Sequence, residues 1–117
     1  MDMSDLSGLF EIMPGIVEVT IVPMGRNSVR ADAVLVTAAE QRPISAEQRQ
    51  AAGIELEVEA TRWHLWVSTF SSPVNVVRGQ CLIREADGTE WIVALSRLEM
   101  MKTRWACDCV RNYDQPT

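Results

Sequence analysis

At 117 residues, with 47% hydrophobic and 23% charged side chains, the chain is long enough for one packed core and too ordinary in composition for bulk disorder. A net charge of -5 disfavours nucleic acid as a partner. No apolar run reaches membrane-spanning length, and the start carries acids where a secretory signal carries bases, so a cytosolic single-domain product is expected.

The charge is uneven, with -6 over residues 1–60 and +1 over residues 61–117. Residues 1–14 read as an arm, 15–111 as one β domain and 112–117 as a tail. The arm carries one apolar patch, Leu9, Phe10, Ile12 and Met13, closed by Pro14 and Gly15. Period-two alternation then predicts a strand over 16–22, with Val17, Val19 and Ile21 on one face, a turn over 23–28 and a second strand over 29–37. Ser45 followed by Gln48 matches a capping box, and Gly53 stands where a helix stops, which predicts a short helix over Ala46–Ala52. Its alanines bury little area, so it is expected on the surface or over a sheet edge.

Residues 54–60 alternate most regularly: Ile54, Leu56, Val58 and Ala60 against Glu55, Glu57 and Glu59. This predicts a strand with a wet acidic face that asks for basic partners. The apolar parity then shifts to Trp63, Leu65 and Val67, which predicts a bulge near Thr61. Residues 68–73 read as a loop exposing Phe70. Strands are expected over 80–85 and 90–96, joined by an Asp87-Gly88 turn, with Cys81 and Ile83 on one face of the first and Trp91, Val93 and Leu95 on one face of the second. Apolar Leu82 and Ile92 on the other faces imply that both sides of this hairpin are covered. A last strand over 103–111 carries Trp105, Cys107 and Cys109. The sum is a mainly β chain, a small antiparallel barrel or sandwich of six to seven strands with one short helix.

His64, Cys81, Cys107 and Cys109 are the residues that zinc would choose, and Cys107 and Cys109 are two apart on one strand. The commoner role of such cysteines is as small reduced core residues, and no metal or cofactor is expected. His64, between Trp63 and Trp66, has no nucleophile in a recognisable elbow, and no phosphate-cradling glycine loop is present, so no enzyme activity is expected. Trp63 and Trp66, three apart, face opposite sides of a strand, which leaves one of them for an interface, whereas Trp91 and Trp105 fall in phase with the core. Arg97, Lys102, Arg104 and Arg111 form at most a local basic patch.

The second half, with Pro73, Gly79, Ile83, Asp87, Gly88, Trp91 and Val93 in this order, resembles the small β-barrel neck proteins of tailed phages and prophages. Those are head-tail connector, head-closure or joining proteins. The resemblance implies a structural role without catalysis: a ring of copies beneath the portal that joins or closes the head, with portal or adaptor and tail proteins as partners and the virion as destination. It implies contact arms at 38–53 and 68–73. Candidate interface residues are Glu55, Glu57, Glu59, Trp66, Phe70 and Arg104.

Overall fold

The computed structural model describes residues 15–24, 33–76 and 80–113. The arm over 1–14, the turn residues 25–28, the first residues of the expected second strand, Gly79 and the end of the tail lie outside them. β-Branched and aromatic residues in period two build six antiparallel strands: β1 (Ile16–Pro23), β2 (Val34–Arg42), β3 (Ala60–Trp66), β4 (Cys81–Glu85), β5 (Glu90–Glu99) and β6 (Arg104–Arg111). β1 pairs with both β2 and β4, closing the barrel in the order β1-β2-β3-β6-β5-β4. Every strand therefore has two neighbours, although β4 meets β5 only through Glu90, Trp91 and Ile92, and the rest of β5 pairs on its β6 side.

Two bulges bend the wall. Val17 pairs with Ala39 and Val19 with Val36, so Thr37 and Ala38 of β2 oppose Glu18 alone. The inward set of β2 thereby passes from Val34 and Val36 to Ala39. In β5, Val93 pairs with Cys109 and Leu95 with Asp108, leaving Ala94 unopposed. That extra residue turns Leu95 outward, against the parity expected from Trp91 and Val93, and brings Ser96 inward, where its hydroxyl donates to the Val76 carbonyl at 2.6 Å. An extra residue on one strand increases local twist and curvature, which a closed barrel of this size requires.

The interior is filled by Trp63, Leu65, Ile21, Ile83, Val36 and Val93, all fully buried, with Cys107 and Cys109 between them. Each large aliphatic side chain so buried contributes about 1.5–3 kcal/mol. At the mouth where β1, β3 and β5 end, a 3-10 turn (Val67–Thr69) leads into Phe70, which bridges to Val36 and packs against the core. Phe70 is thus turned inward and not exposed, because the Ser71 amide donates to the Leu35 carbonyl and the Leu35 amide to Ser71 Oγ, clamping this loop to β2. At the opposite mouth Trp91 closes the barrel, its Nε1–H donating to Glu85 at 2.9 Å.

The helix α1 (Ala46–Ala52) forms as the capping box predicts: the Gln48 amide donates to Ser45 Oγ at 3.1 Å and the Ser45 amide to Gln48 Oε1 at 2.9 Å. Gly53 ends it at φ 72°. The strand expected over 54–60 is not formed. Ile54 donates back to the Arg49 carbonyl, and the Arg49 guanidinium donates to the carbonyls of Glu55 and Val58, so this stretch is closed as a loop over the helix end. The parity shift near Thr61 is the start of β3, whose inward residues are Thr61, Trp63 and Leu65; no bulge lies there. Asp87 and Gly88 make the expected reversal, with Gly88 at φ 93° and the Thr89 amide donating to Asp87 Oδ1. That bond holds the Asp87 carboxyl below its usual range. Leu82 is buried and Ile92 half-buried on the outer side, so both faces of this hairpin are covered. Among the described residues, no helix is long and apolar enough to cross a membrane.

Candidate protein interface

The barrel wall separates the residues that the sequence offered as a metal set. Cys81, Cys107 and Cys109 face the interior, whereas His64, one residue out of phase with Trp63, faces outward. Burial pushes the thiols of Cys107 and Cys109 far above their ordinary range, which keeps them protonated and poor as nucleophiles or ligands. No cluster of three or more ligating residues forms among the described residues.

On the outer face, register decides which polar groups meet. Arg62 and Asp108 stand opposite each other on β3 and β6 and make a bidentate pair at 2.6 and 2.9 Å, largely shielded from water. Trp66 stands opposite Arg104, whose guanidinium lies 5.8 Å from the indole centroid and also bonds Glu99 of β5. The Arg104 bond holds the Glu99 carboxyl below its usual range. His64 lies beside Glu40 of β2 at 3.6 Å; burial first, and the Arg104 charge second, lower its pKa. Of the candidate interface residues, Trp66 and Arg104 are therefore brought together, half-buried on one outer face.

The three glutamates are not a ladder. Glu55 and Glu57 are exposed in the loop after α1, while Glu59 is drawn to the end of β6. There the Arg111 amide donates to the Glu59 carbonyl at 2.9 Å, and the Tyr113 hydroxyl donates to its carboxylate at 2.8 Å. Sequence reading also missed Glu90, which is 2% exposed and accepts from Arg84 and from the Asn112 side chain. Its only signal is opposite charge at Arg84 and Glu90, which becomes legible once the β4–β5 register is known.

No protein-family model, curated protein or solved structure matches this chain. Its own geometry therefore carries the functional reading.

The hairpin joining β5 to β6 is the most exposed apolar feature among the described residues. Met100, Met101 and Lys102 adopt φ of 53°, 55° and 66°, three consecutive left-handed residues without a glycine. Each such residue costs about 1–2 kcal/mol relative to ordinary backbone. The Thr103 amide donates to the Glu99 and Met100 carbonyls, and the Thr103 hydroxyl to the Met100 carbonyl, which holds the turn. The consequence is a projecting tip, with Met101 96% and Met100 59% exposed. Hollows flank the barrel among the described residues. One, of about 480 Å³, runs beside this tip between Phe70, Val74, Leu98 and Trp105. Another, of about 460 Å³, lies on the outer wall between the end of α1 with its following loop and the β5–β6 pair.

Proposed function

We propose that the protein is a non-catalytic assembly component of a tailed-phage or prophage neck, which joins or closes the head at the portal and docks the tail. The observation that carries this reading is the strained Met100-Met101 tip on a closed barrel. Backbone strain held at an exposed apolar projection is the mark of a contact element, and methionine, arginine and tryptophan are the residues enriched where proteins meet. The Trp66–Arg104 pair on the outer wall adds to it. The fold class agrees with the barrel of the proteins that the second half resembles, and a strand order that closes on itself limits the addition of strands at random.

The partners in this reading are further copies of the chain, a portal or adaptor ring and a tail protein. Synthesis is cytoplasmic and the destination is the virion. Quantitative mass spectrometry of purified tailed particles is the test, with a few copies per particle relative to the major capsid protein as the expected result. Absence from intact particles overturns the reading. The hollow beside Phe70 and Trp105, an apolar floor with Ser71, Ser72, Asn75 and Lys102 also lining it, favours a second reading, a binding module for a protein or small ligand unrelated to phage. That reading comes first if the particles lack the protein.

A further inference from the structure

The projecting tip and the hollow on the outer wall belong to different faces of the same chain, and their chemistries match. The hollow is lined by Ala52, Ile54, Val58, Ile92 and Val110, with the exposed Glu55 at its rim. The tip presents two methionines followed directly by the exposed Lys102. We propose that Met100 and Met101 of one copy seat in the hollow beside α1 of the next copy, with Lys102 placed against Glu55. The proposal rests on the assembly reading above and names the surface that would build it.

Three observations commit the occupant to a second copy of this chain. Methionine is flexible and fills irregular apolar hollows, and the left-handed turn leaves Met101 almost wholly exposed for that purpose. Lys102 at the tip and Glu55 at the hollow are opposite in charge, and Glu57 in the same loop adds to the acidic side, where Arg49 is the cation held on the Glu55 and Val58 carbonyls. The two surfaces sit apart on the barrel: the tip is at the mouth where β5 ends and β6 begins, whereas Ile92 and Val110 pair near the other end of those strands. A contact between different faces of identical chains is heterologous, and repetition closes it into a ring or extends it as a filament.

Single-cysteine trapping tests this on the intact chain, since the native cysteines are buried. M101C and V58C proteins are mixed and oxidised, and the expected product is a mixed disulfide dimer well above the dimer that either variant forms alone. Adding K102E to the M101C chain lowers the yield roughly tenfold, because like charges then face each other. Adding E55K to the V58C partner as well restores it. Circular dichroism and urea midpoints close to the parent show that each variant is folded. Equal yields from the mixture and from either variant alone, or loss with K102E that E55K does not restore, overturn the contact. A protein found in particles but failing this assay keeps the neck reading and loses this surface; trapping with no protein in particles does the reverse.

Discussion

Removing either partner of the Arg62–Asp108 pair separates a structural ion pair from an ornamental one. The two bonds of 2.6 and 2.9 Å join side chains that are 13% and 4% exposed, so the pair is shielded well beyond an ordinary surface bridge, which is worth about 0–1 kcal/mol. Breaking a buried pair by deleting one member costs about 3–5 kcal/mol, because the survivor keeps its charge without its partner. Asp108 is the more buried and has the shorter side chain, so Arg62→Met strands a carboxylate with no route to water. That substitution is expected at the upper end of the range. Asp108→Leu strands a guanidinium whose long stem lets the head reach solvent, and is expected about 1 kcal/mol milder. The double variant removes both charges and is expected within about 2 kcal/mol of the parent, far less than the two single costs together. Urea unfolding followed by tryptophan fluorescence reads all four proteins, with unchanged m-values confirming a common unfolded state. Single costs below about 1 kcal/mol with an additive double variant refute the reasoning.

Acidification should destabilise the barrel in two steps. The His64 pKa is lowered in the folded protein, so the unfolded chain takes up the proton first; stability is intact above about pH 6.5 and falls as pH drops through the lower folded value. His64→Gln is expected to remove that step, and a difference from the parent that stays flat between pH 7 and 5 in urea titrations contradicts it. Glu99, held low by Arg104, adds a second loss that begins only near the ordinary carboxylate range, about 4.5, so Arg104→Met should abolish the second step and also shrink the first, to which the Arg104 charge contributes after burial. The Cys81, Cys107 and Cys109 thiols should resist a thiol reagent in the native protein and all react in urea, as measured by absorbance; rapid native modification of any of them places it outside the core. Gly53→Ala is expected to cost about 1 kcal/mol although open space surrounds the position, because φ of 72° disfavours a Cβ. Hydrogen exchange of the α1 amides should accelerate with it, and unchanged protection counts against this cap.

Local rules written in consecutive residues were legible without coordinates. The capping box of Ser45 and Gln48 with Gly53 behind it, the Asp87-Gly88 reversal, and the existence of β1, β4, β5 and β6 are each satisfied by bonds between near neighbours or by alternation, although the expected faces break at the exposed Val17 and at Leu95. The mainly β class and the single helix followed from these. Residues 54–60 show where such reading fails: their alternation is as regular as any strand's, yet the Arg49 guanidinium bonds the Glu55 and Val58 carbonyls and closes the stretch as a loop. Phe70 fails for a similar reason, since its burial depends on a clamp to Leu35, far back in the chain.

What only the tertiary structure decided is barrel against sandwich, the bulges that turn Leu95 outward and Ser96 inward, and the division of His64 from the cysteines by the wall. The pairs Arg62 with Asp108, Trp66 with Arg104, and Arg84 with Glu90 belong to the same group. Their common cause is register. A strand's sequence states which residues share a face, whereas the partner opposite each one is set by closure of the whole sheet, and one extra residue in a neighbouring strand reassigns every pair beyond it.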